Sequence, residues 1–147
     1  MIYHKAGDIF NSNADIICHQ VNCQGVMGAG IAKQVRTLYP KIYTRYVQIC
    51  KEHRGHTLGR IMLDQVDDTR SICSMFAQEY YGRDKRYTDY NAFRKCLRCL
   101  ANNTVPHSTI ALPYNIGCGL AGGDWSVVLP IIEEELTNFT VELWKKE

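Results

Sequence analysis

The stretch DIICHQVNCQGVMGAGIAK, residues 15–33, predicts a strand, a glycine loop and a helix in succession. A short apolar run opens it, three glycines follow, and apolar residues then recur at helical spacing. Glycines in such a unit let the backbone approach a ligand closely, and the unpaired N–H groups at the helix start favour an anion such as phosphate. An ordinary strand-to-helix turn is the alternative interpretation of this segment alone.

Two familiar phosphate-loop motifs do not fit this stretch. Gly25 to Gly30 has the glycine spacing of a P-loop, but Ile31-Ala32 follows where a lysine and a hydroxyl residue are required. The dinucleotide fingerprint fails as well, because its third glycine would fall at Lys33. What is left is a glycine loop just after His19 and Asn22, at the end of a strand where open α/β sheets bind their ligands.

The composition predicts one domain over residues 1–147, long enough to bury a sizeable core. The net charge is +2 and the lysines and arginines are dispersed, which argues against nucleic acid as a partner. No apolar run reaches the length of a membrane span, and the N-terminus has no signal-peptide core. These features predict no membrane partner and a cytoplasmic location.

The seven cysteines are an odd number scattered through apolar runs, which is typical of free buried thiols in a reducing compartment. Cys96 and Cys99 form a C-x-x-C inside a predicted helix, but no second pair accompanies them. We therefore predict that they pack in the core and do not bind zinc.

The rest of the chain predicts an α/β fold with a mixed sheet. Strands are predicted over residues 1–6, 15–21, 58–66, 71–77, 108–114 and 139–144, and the third and fourth could form an antiparallel hairpin. Helices are predicted from Ile31, from Pro40, after Thr88 or Asp89, and after Asp124. The last helix contains Pro130, so it either begins late or is kinked there. The second strand is apolar throughout, which predicts a central position covered on both faces.

Two further segments are candidates for function. Residues 79–89, EYYGRDKRYTD, are too charged for the core and long enough to form a flap over an active site. Residues 115–124, NIGCGLAGGD, form a second glycine loop between a strand and a helix. If the strands before the two glycine loops are neighbours, the loops bracket one crevice, and both can offer backbone N–H groups to a diphosphate.

Four motifs together resemble the macro domain, the fold that binds ADP-ribose. They are Gly7-Asp8-Ile9, the strand ending in Val21-Asn22, Gly28-Ala29-Gly30 and Ile116-Gly117-Cys118-Gly119-Leu120. The match covers nearly the whole chain. Residues 18–25, residues 30–32 and Tyr39-Pro40 most resemble the branch that contains ADP-ribose-1″-phosphate phosphatases and Appr-1″-p processing proteins. The resemblance implies a three-layer α/β/α sandwich around a mixed, mostly parallel six-stranded sheet, with the ligand across the strand ends.

The resemblance also implies a set of binding residues for ADP-ribose or a derivative. Asp8 matches the acid that accepts a hydrogen bond from the adenine amino group, Ile9 supplies a backbone contact, and Asn22 faces the distal ribose. The residues that match the two loops around the ribose and the diphosphate are Gly28, Ala29, Gly30, Ile116, Gly117, Cys118, Gly119 and Leu120. No cofactor or metal is implied, because backbone amides can carry the charge. An ADP-ribosylated protein is a further candidate partner.

For chemistry, the phosphatase branch is similar at His19 and Asp84, with Asn22 beside them. A carboxylate and an imidazole near C1″ could activate water, or serve as nucleophile, and protonate the leaving group, so the implied reaction is hydrolysis of ADP-ribose-1″-phosphate. Each residue has a structural alternative. A strand histidine is often a hydrogen-bonded core residue, and Asp84 can form a solvated ion pair with its basic neighbours Arg83, Lys85 and Arg86.

Three other functions stay open. Macro domains that cleave ADP-ribose from protein through a lysine and an aspartate have those residues at positions near Tyr81 and at Ala121 here, so the acid is missing, although Lys85 is close by. Other macro domains that remove ADP-ribose use water attack assisted by the substrate, a route that needs neither the lysine nor the aspartate. A reader of ADP-ribose shares every binding residue, and a hydrolase acting on ADP-ribosylated nucleic acid is opposed by the lack of a basic stripe.

Overall fold

The computed structural model describes the whole chain, Met1 to Glu147. Its strands are β1 Ile2–Ala6, β2 Ile16–Asn22, β3 Ile61–Gln65, β4 Ser71–Gln78, β5 Thr109–Pro113 and β6 Thr140–Lys145. Its helices are α1 Gly30–Leu38, α2 Pro40–Glu52, α3 Tyr90–Asn102 and α4 Trp125–Glu135, and a 3₁₀ turn, Ile9–Asn11, follows β1. The strands form one sheet in the order β1-β6-β5-β2-β4-β3. Only the β3–β4 pair is antiparallel, which confirms the predicted hairpin and the mixed, mostly parallel sheet.

β2 lies inside the sheet between β5 and β4, as its continuous apolar run predicts. Successive side chains of a strand point to opposite faces. Ile16 and Cys18 pack with the core on the face covered by α3 and α4, whereas Ile17 and Val21 pack with the core under α1 and α2. Two apolar cores therefore lie on either side of the sheet, which is the three-layer sandwich that the resemblance implies.

Local capping signals fix the starts of three helices. Pro40 is the first residue of α2, where its missing N–H is not needed. The Asp89 carboxylate accepts a hydrogen bond from Ala92 N in α3, and the Asp124 carboxylate accepts one from Ser126 N in α4. α4 therefore begins before Pro130 and includes it, so the late start is the wrong alternative.

Some element ends differ from those predicted. The strand predicted over residues 58–66 is shorter, because Gly59 has a φ of 87° and residues 57–60 form a turn before β3. All seven cysteines are free thiols, and Cys96 is buried in the core while Cys99 is half-buried. None of the four helices has the length and apolar character needed to cross a membrane.

Candidate functional site

The two glycine loops leave the sheet side by side. β2 and β5 are parallel neighbours, with Ile16 paired to Ile110, so the loops that follow them emerge at the same edge of the sheet. The helix after β2 packs on one face and the helix after β5 on the other. Chain directions that diverge in this way open a crevice between the strand ends, and α/β proteins bind ligands there. The sequence analysis predicted a shared crevice if the strands before the two loops are neighbours, and β2 and β5 are neighbours.

Both loops present backbone N–H groups that donate no hydrogen bond within the protein. In the first loop and the opening turn of α1 these groups run from Gly28 to Ala32, and Ala29 gives that turn no side-chain cap. In the second loop they include the consecutive groups of Gly119, Leu120 and Ala121. Free N–H groups at a helix start and in a turn form concave sites for anions. Each of the two loops therefore has donors available for an anion, which suits the oxygens of a diphosphate.

The Asn22 side chain braces the first loop. Its Oδ1 accepts hydrogen bonds from Gln24 N and from the Tyr46 hydroxyl, both at 2.9 Å, and its Nδ2 donates to the Val26 carbonyl at 2.8 Å. Asn22 is only 7% exposed. In this conformation the amide shapes the loop, and the contact with the distal ribose stays a prediction.

The second loop is fixed at Gly117. Its φ of 75° lies in the left-handed region, which favours glycine. The Gly117 carbonyl accepts hydrogen bonds from Thr88 Oγ1 at 2.6 Å and from Gly123 N at 2.8 Å. Gln20 Nε2 donates to the same Thr88 oxygen at 2.9 Å. A buried polar network thus connects β2, the flap and the second loop.

The other residues of the second loop have distinct positions. The Ile116 side chain is buried in the core, so only its backbone can reach a ligand. Cys118 is half-buried, and burial, with the nearby charge of Asp124, raises the pKa of its thiol to about 11. Gly119 faces open space, since a Cβ built there meets nothing within 4 Å, and Leu120 is 51% exposed. This part of the loop is open to a ligand.

A cavity of about 910 Å³ lies at the other end of the crevice. Three of the predicted binding residues line it, namely Asp8, Ile9 and Gly30. Asp8 Oδ1 accepts a hydrogen bond from Phe10 N at 2.9 Å, and the residue is exposed, so a second acceptor oxygen is open to a ligand. Gly28, Ala29 and the second loop lie outside this lining.

The other cavity residues were not among the binding residues predicted from the sequence, and they include Lys33, Thr37, Tyr114 and Trp144. Lys33 and Thr37 lie on α1, three and seven residues after Gly30, and this helical spacing could have indicated that they share its face. Tyr114 directly follows β5 and Trp144 lies near the end of β6, and no sequence signal shows that β6 lies between β5 and β1. These rings give the Asp8 end of the cavity an apolar wall.

The flap, residues 79–89, joins the two glycine loops. At its start the Glu79 carbonyl accepts a hydrogen bond from Cys23 N at 3.0 Å, and at its end Tyr87 N donates to the Ala121 carbonyl at 2.7 Å. Thr88 pairs with β4 in an isolated antiparallel bridge. The flap is therefore anchored at both ends and crosses the mouth of the crevice beside β4.

His19 is enclosed in the protein. It is 1% exposed, on the β2 face that packs under α1 and α2. Its Nε2 lies 2.7 Å from Ser74 Oγ on the adjacent strand β4, and its Nδ1 has no partner. Burial lowers the pKa of His19 to about 4, so the ring is neutral near pH 7. This position argues against the predicted catalytic role, which stays a prediction.

Asp84 lies on the exposed part of the flap. Its carboxylate accepts a hydrogen bond from the Tyr87 hydroxyl, which lowers the pKa of Asp84 below its usual range. It forms no ion pair, so the predicted pairing with its basic neighbours is absent. Asp84 and His19 do not contact each other, and they sit on different elements at very different depths.

The structure also locates Lys85, the candidate amine of the lysine-based chemistry. Its carbonyl oxygen lies 2.9 Å from where a Cβ on Gly122 would sit, so the flap backbone packs directly on the second loop. Its Nζ lies 5.4 Å from the centre of the Tyr87 ring. The acid that this chemistry requires is replaced by Ala121, whose carbonyl accepts hydrogen bonds from the flap.

Comparison with known proteins identifies the family. A family model described as Macro domain matches residues 18–132. The chain belongs to the macro domain family. The family and the fold that the four sequence motifs imply by resemblance are therefore confirmed.

The relatives of this macro domain have several described activities. A DNA ADP-ribosyl glycohydrolase of Mycobacterium tuberculosis is 29% identical over 133 residues, which cover 87% of this chain and 36% of that protein. An ADP-ribose 1″-phosphate phosphatase of Saccharomyces cerevisiae is 36% identical over 73 residues, 48% of this chain and 41% of that protein. The chain thus spans little more than a third of the length of the first of these curated relatives.

A solved structure shares the fold over the full length. The macrodomain of Mycobacterium tuberculosis DarG superposes with a TM-score of 0.80 at 25% identity, covering 98% of this chain and 97% of that one. The likeness extends beyond the two glycine loops to the whole sandwich.

Proposed function

We propose that this macro domain binds ADP-ribose in the crevice and hydrolyses the bond at C1″ of an ADP-ribosyl group attached to DNA. The observation that supports the binding is that both glycine loops contain backbone N–H groups without a partner in the protein, and that the two loops leave the sheet at the same edge. The choice of DNA is supported by the glycohydrolase relative, which aligns with 87% of the chain, whereas the phosphatase aligns with 48%. This choice of substrate differs from the expectation based on composition, which argues against nucleic acid as a partner.

In this proposal each part of the crevice holds one part of the ligand. Asp8 accepts a hydrogen bond from the adenine amino group, and the aromatic wall of the cavity covers the base. The N–H groups from Gly28 to Ala32 and from Gly119 to Ala121 donate to the diphosphate. The distal ribose then extends toward the flap. Binding at three points fixes C1″ for attack by water.

We propose Asp84 as the group that orients this water. Its carboxylate is ionised near pH 7, since the Tyr87 hydroxyl lowers the pKa of Asp84, and it is exposed on the segment that crosses the crevice. Water attacks C1″ and loses a proton to solvent, the bond to the DNA breaks, and the leaving group takes up a proton from solvent. His19 has no part in this scheme, and we propose that it holds β2 against β4.

The alternative substrate is ADP-ribose-1″-phosphate, favoured by the higher identity to the phosphatase over the aligned segment. In this case the same attack at C1″ releases phosphate. Both reactions need the same crevice, so a direct assay on both substrates separates them.

The test offers the protein an ADP-ribosylated DNA strand and ADP-ribose-1″-phosphate in parallel, and follows release of ADP-ribose and of phosphate. Three variants accompany it: Asp84→Asn, Gly119→Glu and the control Gly119→Ala. We expect the wild type to release ADP-ribose from DNA, and Asp84→Asn to lower kcat by about a hundredfold while ADP-ribose affinity is kept.

Gly119→Glu should lose ADP-ribose binding and turnover, because it adds a negative charge beside the diphosphate, whereas Gly119→Ala should bind normally, since a Cβ there meets nothing within 4 Å. Release of phosphate without cleavage of DNA would transfer the assignment to the phosphatase reaction. Tight binding of ADP-ribose with no release from either substrate would refute the hydrolase and leave a reader.

A further inference from the structure

We infer that the flap is the docking surface for the single strand of DNA that bears the ADP-ribosyl group; this rests on the proposed function. The order of strands along the sheet edge supports it. Asp8 follows β1, the second glycine loop follows β5, the first follows β2, and the flap follows β4. A ligand with adenine at Asp8 and its diphosphate between the loops has its distal ribose at the flap. Whatever is bonded to C1″ therefore meets residues 79–89.

The flap exposes two adjacent aromatic side chains. Tyr80 is 60% exposed and Tyr81 is 56% exposed, and neither hydroxyl makes a hydrogen bond. Exposed aromatic rings beside a ligand crevice offer faces on which unpaired bases can stack, and every base has such a face. Bases inside a duplex are already stacked on each other. The two tyrosines therefore favour a single strand.

The same segment carries three cations, Arg83, Lys85 and Arg86, within four residues. With Asp84 among them, residues 83–86 have a net charge of +2, and Glu79 and Asp89 at the ends of the segment balance it. None of them forms an ion pair, since every ion pair in the structure involves Arg45, Arg94 or Arg98. The Arg86 guanidinium lies over the Tyr90 ring at 4.4 Å, which holds it on the flap without neutralising it. Unpaired cations beside exposed rings complement a strand with phosphates between its bases.

The flap is also firm enough to serve as a platform. Its two ends are hydrogen-bonded to the two glycine loops, and Thr88 is 1% exposed within the network that reaches Gly117. Asp84 lies among the cations, so a strand bound there brings its attached ribose close to the carboxylate that we propose orients water. Composition misses this surface because three acidic residues of the segment balance its three cations, so the sequence shows no excess of positive charge there.

The experiment compares three ligands: free ADP-ribose, an ADP-ribosylated ten-nucleotide single strand, and an ADP-ribosylated peptide. Stopped-flow anisotropy reads association before turnover, so binding is measured whether or not the bond is later cleaved. The flap variants are Tyr80→Ala/Tyr81→Ala and Arg83→Ala/Lys85→Ala. The matched controls change residues outside the flap, Tyr3→Ala for the aromatic pair and Lys41→Ala/Lys95→Ala for the cations, all exposed.

We expect the wild type to bind the modified strand at least about tenfold more tightly than ADP-ribose, since stacking of one base contributes that much. Tyr80→Ala/Tyr81→Ala should remove most of this gain. Arg83→Ala/Lys85→Ala should weaken strand binding and lower the slope of log affinity against log salt by about 1.4, at about 0.7 for each lost phosphate contact. All variants and controls should bind free ADP-ribose like the wild type.

Equal affinity of the wild type for the strand and for ADP-ribose would overturn the inference, and so would an equal gain with the peptide. A loss of strand binding in the controls as large as in the flap variants would overturn it too. Strand-dependent tight binding without any release of ADP-ribose would support the docking surface and refute the proposed hydrolysis, so the two failures are distinguishable.

Discussion

The enclosed position of His19 predicts a specific acid sensitivity of the fold. In the native protein burial lowers the pKa of His19 to about 4, against an ordinary value of 6.5 in the unfolded chain. The native state therefore binds the proton more weakly than the unfolded state. Stability from this residue is fully present above about pH 6.5, is lost as the pH falls from there to about 4, and changes no further below that value.

The size of the effect follows from the two pKa values. A difference of 2.5 units corresponds to about 3 kcal/mol over the full window, at about 1.4 kcal/mol per unit. Between about pH 8 and about pH 5 the same two values give a loss of about 2 kcal/mol from His19 alone. The control is His19→Gln, whose amide can still reach Ser74 Oγ but does not titrate.

Urea denaturation of both proteins at the two pH values measures the difference. The carboxylates with lowered pKa are present in both proteins and cancel in the comparison. We expect the wild type to lose about 2 kcal/mol more than His19→Gln. An equal loss would show that His19 is not buried in neutral form, and the argument against its catalytic role would fail. If His19→Gln does not fold, NMR titration of the wild type measures the pKa of His19 directly. A pKa near 6.5 would refute the prediction that His19 is buried in neutral form.

Two further variants test the ends of the crevice. Asp8→Asn can still accept the hydrogen bond from Phe10 N but lacks the charge, so calorimetry should show about tenfold weaker binding of ADP-ribose at an unchanged Tm, and an unchanged Kd would remove Asp8 from the adenine site. Gly117→Ala should lower the free energy of unfolding by about 2 kcal/mol, because φ is 75° and its Cβ would lie 2.8 Å from Gln20 Oε1. Gly119→Ala is its control, and equal urea midpoints for these two variants would contradict the strain.

Local signals in the sequence were sufficient to predict most of the fold. The unbroken apolar run of β2 predicted a strand covered on both faces, and Ile16 and Ile17 indeed pack in the two separate cores. Pro40 and Asp124 marked helix starts through chemistry that acts within one turn. The start of β3 was misplaced, because the turn at Gly59 depends on pairing with β4 that no local pattern shows.

The candidate site was predicted where it depends on the backbone and missed where it depends on distant strands. The glycines indicated both loops, and the free N–H groups follow from the turns that those glycines permit. Trp144 reaches the Asp8 end only because β6 lies beside β1, a pairing between the two ends of the chain. The partner of His19 likewise comes from a distant segment, since Ser74 lies 55 residues away in the sequence.

The proposed binding mode divides recognition between two kinds of element. The glycine loops contribute backbone N–H groups without a partner in the protein, and in the proposed complex these donors bind the diphosphate whatever is attached to C1″. The flap contributes side chains, Tyr80, Tyr81 and the cations that follow, at the end where the attached group must lie. Changes in the flap should therefore alter which ADP-ribosylated molecule is used without altering affinity for ADP-ribose, whereas changes in the loops should alter both.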